Sequence, residues 1–201
     1  MIRAVLFDFG GVIAEEGFYK GLRVIAEENG LAPEAFFKVS EEIIHRIGYV
    51  TGRATEREYW DAVRKQTGIR RDDGYLREQV LSRFVIRQDM LDYADSLRAS
   101  GKLACILSDQ TDWLDELERR RPFFSHFDRI FNSYYIGKSK RDASLFTDVC
   151  QDLGVLPDNA VFVDDNPGNV ARALSIGLRA IRFDDSSFLR KEIAYLIRNQ
   201  S

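Results

Sequence analysis

Residues 5–14 read VLFDFGGVIA: an apolar run that carries one carboxylate, Asp8, and then breaks into Gly10 and Gly11. A continuous run of Val, Leu and Phe is the pattern of a strand covered on both faces, as at the centre of a parallel sheet. A lone carboxylate buried inside such a strand would be costly. The reading that avoids this cost puts Asp8 at the carboxyl end of the strand, where open α/β sheets bind ligands in the crevice beyond their strand tips. The rest of the chain is then expected to supply its partners.

Outward from this stretch, the runs AVLFDF (4–9), KLACILS (102–108), RIFNS (129–133), AVFVDD (160–165) and LRAIRF (178–183) read as strands. Helix-length segments separate the last four. Residues 90–101 and 146–154 carry apolar residues at helical spacing and end in Gly101 and Gly154. In 166–177, Asn166 stands as N-cap, Pro167 at the first helical position and Gly177 as terminator. FLRKEIAYLI (188–197) predicts a closing helix. Alternation of strand and helix predicts an α/β fold with a doubly wound parallel sheet.

Residues 14–86 break the alternation and offer only helical patterns, including Pro33 at a helix start and Thr55 with Glu58 as a capping box. The expected organisation is a Rossmann-like core formed by 1–13 and 87–201. An all-helical cap, 14–86, is inserted over the strand tips, with hinges near 13–17 and 84–90.

The chain has 201 residues, 45% of them hydrophobic, enough for a sizeable core. A net charge of −3 argues against a nucleic-acid footprint, which needs clustered positive charge. Cys105 and Cys150 lack metal-site or redox spacing and read as small core residues. His45 and His126 are isolated and read as solvent-facing or capped. No stretch reaches the ~20 apolar residues of a membrane span, and the N-terminal run is unlike a secretory signal, so the expected location is cytoplasmic, with no membrane partner.

The chemistry gathers at the predicted strand ends. Asp8 ends the first strand, Ser108-Asp109 the second and Asp164-Asp165-Asn166 the fourth, while Lys140 follows the third. In a parallel sheet these converge on one crevice. Three carboxylates in a small crevice call for a cation, and hard oxygen ligands with open positions suit Mg²⁺. A hydroxyl, backbone amides and an ammonium facing that cation suit a phosphoryl group, with Asp8 as an in-line carboxylate nucleophile.

The ordered set FDFGGVI (7–13), ILSDQ (106–110), Lys140 and FVDDNPGNV (162–170) resembles the haloacid dehalogenase-like hydrolase superfamily over nearly the whole chain. The DxGGV form is similar to its phosphatase branch, including glucose-1-phosphate phosphatases and the N-terminal domains of soluble epoxide hydrolases. The resemblance implies a Mg²⁺-dependent phosphatase for a small phosphorylated metabolite, in which Asp8 forms an aspartyl-phosphate and also binds the metal. It implies further metal ligands in the Gly10 carbonyl and Asp165, with Asp164 beside it or bound through water. Ser108 and the Asp109 amide would hold phosphoryl oxygens, and Lys140 would balance charge and orient Asp8.

Three positions depart from that pattern. Gly10 stands where the phosphatases carry a second Asp that protonates the leaving group, and loss of a general acid typically costs about 10²–10⁴ in rate. Asp109 replaces the usual Asn and is the nearest substitute acid, whereas Glu15 and Glu16 read as a solvated loop. Arg141 replaces the usual Pro, leaving Lys138 as an alternative to Lys140. Glycine at position 10 is compatible with a substrate whose leaving group needs little protonation. It is also compatible with a catalytically weak binding protein, or with a 2-haloacid dehalogenase, which uses no metal and would have its anionic substrate repelled by paired acids.

Overall fold

The computed structural model of the chain describes residues 1–199. Its centre is β1 (Ala4–Phe7), every residue of which is buried, and it is flanked by two parallel neighbours, β2 (Leu103–Ser108) and β4 (Ala160–Asp164). Leu6 stands opposite Cys105 on one side and Phe162 on the other. β3 (Arg129–Asn132) and β5 (Arg179–Arg182) complete the sheet in the order β3-β2-β1-β4-β5. The connections leave β1 in one direction for β2 and β3, then return across it to β4. That reversal makes the carboxyl ends of β1 and β4 the topological switch point where such sheets open a crevice.

Side-chain alternation sorts the strands onto two cores. Val5, Phe7, Ala104, Ile106, Val161 and Val163 join one apolar cluster, while Ala4, Leu6, Cys105, Leu107, Ala160 and Phe162 join the other. Both cysteines are free and buried in the second cluster. The strands are shorter than the apolar runs in the sequence. β1 ends at Phe7, one residue before Asp8, whose amide still donates to the Val163 carbonyl of β4 at 2.8 Å.

Between β1 and α5 (Gln88–Ala99) run α1 (Gly17–Glu28), α2 (Pro33–Arg46), α3 (Glu56–Thr67) and α4 (Asp73–Leu81). The Thr55–Glu58 capping box forms in both directions at the start of α3. α1 and α4 approach so closely at Gly21 that a Cβ there would lie 2.6 Å from the Val80 Cα. Leu22, Ile25, Trp60, Val63 and Leu76 of these helices join the same apolar cluster as Val5 and Phe7, so the inserted segment and the sheet share one continuous core. Its two ends are tied together. Ala14 bridges both Gly10 and Ile86, and Arg87 donates to the Gly11 carbonyl while pairing with Glu15 at 3.0 Å.

The remaining helices are α6 (Trp113–Arg120), α7 (Ser133–Ile136), α8 (Ser144–Asp152), α9 (Pro167–Ser175) and α10 (Ser186–Arg198). Asn166 caps α9 by accepting from the Gly168 amide. Among the described residues, no helix is long and apolar enough to cross a membrane.

Candidate active site

A cavity of about 370 Å³ opens at the strand tips. The sheet side contributes Asp8, Gly10, Ser108, Asp109, Lys140 and Asp165, and the helical side contributes Phe18, Tyr19, Phe37 and His45. Asp164 lies beneath, with no exposed surface.

The Asp8 carboxylate is held asymmetrically. Its Oδ1 accepts from the Phe9 amide at 2.7 Å and the Ser108 hydroxyl at 3.0 Å, and it pairs with the Lys140 ammonium at 2.8 Å. Among the described residues, no donor reaches Oδ2. Burial raises the Asp8 carboxyl well above the ordinary carboxylate range, Lys140 opposes that shift and Asp164 adds to it.

Lys140 is buried and gives a second contact, 2.7 Å, to Asp164 Oδ2. Burial alone would lower its pKa, but Asp164, Asp8 and Asp109 outweigh that penalty and raise it. The ammonium therefore stays charged. The loop that carries it is fixed from both sides: its amide donates to Asp109 Oδ1 at 2.8 Å, and its carbonyl accepts from Arg172 Nε at 2.7 Å. Lys138 instead pairs with Asp148 at the surface, which resolves the alternative left open by Arg141 in favour of Lys140 as the lysine at the strand tips.

Asp8, Asp164 and Asp165 each offer an oxygen, all within 4.8 Å of one another, an arrangement that could hold a metal ion. Asp164 is largely engaged: Oδ1 accepts from the Asn166 amide, and Oδ2 from both Lys140 and Asn169 Nδ2. Among the described residues, no other residue donates to the Asp165 carboxylate, which burial and the nearby Asp164 raise in pKa. Gly11 makes room for it. With φ at 82°, the position favours glycine, and a Cβ there would lie 2.2 Å from Asp165 Oδ2. Crowded, partly desolvated acids with an all-oxygen donor set fit a hard divalent cation.

Asp109, the nearest substitute acid expected from the sequence, lines the cavity, and both its oxygens accept from the Lys140 amide, at 2.8 and 3.1 Å, so that it also braces the loop of Lys140. Glu16 is not in a solvated loop. It is half-buried, lines the cavity, and has its carboxyl pushed up to about 7, mainly by burial. Its Oε2 would lie 2.7 Å from a Cβ added at Gly10. Glu15, by contrast, pairs with Lys20 and Arg87.

His45, expected to face solvent or be capped, also lines the cavity, and burial lowers its pKa to about 4 with help from Arg141. His126 pairs with Asp95 at 2.7 Å. Asn169 and Arg172, which brace Asp164 and Lys140, were not singled out from the sequence. The signal was present as their mutual three-residue spacing, which puts Asn169 and Arg172 on one face of α9. Tyr19 lines the cavity, whereas Tyr49 donates to Asp112 at 2.6 Å and is fully buried.

A family model described as haloacid dehalogenase-like hydrolase matches residues 2–177. Flavin mononucleotide hydrolase 1 of Arabidopsis thaliana is 32% identical over 89 residues, 44% of this chain and 36% of the relative. D-ribitol-5-phosphate phosphatase of Bacteroides thetaiotaomicron is 23% identical over 210 residues, 99% of this chain and 100% of the relative. This chain spans 36%, 13% and 38% of the length of three of the curated relatives it matches. Among solved structures, the HAD family enzyme bt-2542 from Bacteroides thetaiotaomicron, in complex with magnesium and inorganic phosphate, aligns with a TM-score of 0.74. It is 24% identical, over 94% of this chain and 99% of that one. L-2-haloacid dehalogenase from Xanthobacter autotrophicus, with chloropropionic acid covalently bound, gives a TM-score of 0.68 at 19% identity, over 100% of this chain and 84% of that one. At these identities the structural likeness establishes the fold.

Proposed function

The chain belongs to the haloacid dehalogenase-like hydrolases, and we propose that within that family it is a Mg²⁺-dependent phosphatase hydrolysing a small phosphorylated metabolite through an aspartyl-phosphate on Asp8. The observation that carries this reading is the asymmetry at Asp8. Three donors fix Oδ1, and Oδ2 is left without one beside the cavity. A carboxylate held in this way is oriented for attack, because the donors set its plane while one oxygen keeps its lone pairs for the substrate.

In this reading Oδ2 attacks phosphorus in line with the departing oxygen. Ser108 and the amide of Asp109 meet the phosphoryl oxygens, and Lys140 compensates their charge. Asp8, Asp165, the Gly10 carbonyl and, directly or through water, Asp164 would hold Mg²⁺, whose charge would neutralise the phosphoryl group. The segment 14–86 acts as a cap on a core formed by 1–13 and 87–201, with Phe18, Tyr19 and Phe37 facing the substrate. The relatives named as a flavin mononucleotide hydrolase and a D-ribitol-5-phosphate phosphatase support a phosphate ester as substrate, as does the neighbour solved with magnesium and phosphate.

Likeness to a 2-haloacid dehalogenase gives a second reading, since such an enzyme also attacks with a carboxylate. The crowded acids weigh against it, because an anionic haloacid adds charge without bringing a cation. Phosphate release from sugar, nucleotide, acyl and aryl phosphates, in Mg²⁺ and in chelator, tests the proposal beside chloride release from 2-chloropropionate. Mg²⁺-dependent phosphate release is expected. Chloride release unaffected by chelator would replace it with the dehalogenase reading.

A further inference from the structure

Under the phosphatase reading the leaving oxygen needs a proton, yet position 10 carries no side chain and Asp109 is engaged with the Lys140 amide. We propose that Glu16 is a catalytic residue, the acid–base group that serves leaving group and water from the space a side chain at position 10 would otherwise fill. This inference rests on the phosphatase reading.

Glycine at position 10 leaves space that a carboxylate from another segment approaches. Its φ is not among the positive values, so the backbone would accept any L-residue. An added Cβ would meet Glu16 Oε2 at 2.7 Å, closer than such atoms approach without one moving, with Phe84 Cε1 at 3.4 Å on another side. The carboxylate of Glu16 thus abuts the residue two places after Asp8, inside the same cavity.

Glu16 is also held in place. It caps α1, its Oε1 accepting from the Tyr19 amide at 3.0 Å. Oε2 is the oxygen that lies against Gly10. The chain behind it is pinned by the bridges of Ala14 to Gly10 and Ile86. The Phe84 ring fills the space beside Gly17, where a Cβ would meet it at 2.4 Å. The other cavity acid on the helical side, Glu41, faces Arg141 at 3.7 Å.

The proton balance closes on this one group. As the bond from Asp8 Oδ2 to phosphorus forms and the bond to the leaving oxygen breaks, protonated Glu16 gives its proton to that oxygen. Its carboxylate then takes a proton from the water that attacks phosphorus. Asp8 leaves as a carboxylate, inorganic phosphate departs, and Glu16 is again protonated.

The test compares wild type, Glu16→Gln, Glu16→Ala and the double variant Gly10→Asp/Glu16→Ala, in Mg²⁺, on glycerol phosphate and 4-nitrophenyl phosphate. Glutamine keeps an acceptor for the Tyr19 amide, so it separates capping from proton transfer. Glu16→Gln is expected to lower kcat on glycerol phosphate by about 10²–10⁴-fold. On 4-nitrophenyl phosphate it should release a burst of one nitrophenolate per site, followed by slow turnover. The double variant should recover about tenfold or more over Glu16→Ala, because the new carboxylate enters the space vacated. Turnover by Glu16→Gln close to wild type on both substrates would overturn the assignment while leaving the phosphatase reading intact. A folded wild type releasing no phosphate from either would overturn both.

Discussion

The Lys140 ammonium lies 2.7 Å from Asp164 Oδ2, and neither side chain has more than 1% of its surface exposed. Asp164 is thus the buried anchor that lets a lysine reach Asp8 from the loop after β3. Breaking a buried pair from one side leaves an uncompensated charge, at a cost of about 3–5 kcal/mol. Lys140→Met and Asp164→Leu are each expected to lower the unfolding free energy measured in urea by that order. The double variant should regain much of the stability and none of the activity.

Asp109 braces a loop, and its expected mutational pattern follows from that. Asp109→Asn keeps an acceptor for the Lys140 amide and should retain activity within about tenfold, whereas a lost general acid costs about 10²–10⁴. Asp109→Ala orphans that amide and should destabilise by about 1–3 kcal/mol. Steady-state kinetics beside urea unfolding separates the two effects.

Metal binding should depend on Gly11 as well as on the acids. Gly11→Ala forces a Cβ toward Asp165 Oδ2 at a backbone φ of 82°, with a strain of about 1–3 kcal/mol. It should weaken Mg²⁺ binding in calorimetry together with Asp165→Asn. In wild type, saturating Mg²⁺ should raise the melting temperature, because the folded state alone assembles the three carboxylates. Neither variant should show that full rise.

His45 makes stability acid-sensitive. Its pKa falls from 6.5 to about 4 on folding, chiefly through burial, with Arg141 adding repulsion. The unfolded chain therefore binds the proton more readily than the folded one. The contribution of His45 is fully present above pH 6.5 and is lost as pH falls from there toward 4. Urea midpoints at pH 7.5 and 5 should drop further in wild type than in His45→Asn.

The sheet and its polar tips were legible because buried strands leave unbroken apolar runs, and because Asp8, Ser108 and Asp164 fall where those runs stop. The inserted helices were legible from Pro33 and from the Thr55–Glu58 box. Glu16 was not. Glu16 stands at Gly10 beside the Phe84 ring, which folds back against Gly17 from a segment some seventy residues on, a contact no local pattern encodes. The bracing role of Asp109 was hidden for a similar reason. Its place in sequence sets it beside the expected phosphate, but its carboxylate is claimed by an amide from the loop after a different strand.

The central claim is that Asp8 Oδ2 attacks phosphorus. Its most direct measurement is a single turnover with ³²P-labelled substrate in Mg²⁺, quenched in acid and mapped by peptide. Label on the peptide containing Asp8, released by hydroxylamine and absent in Asp8→Asn, is the predicted result. Rapid phosphate release with no label trapped at Asp8, or turnover surviving in Asp8→Asn, would contradict it.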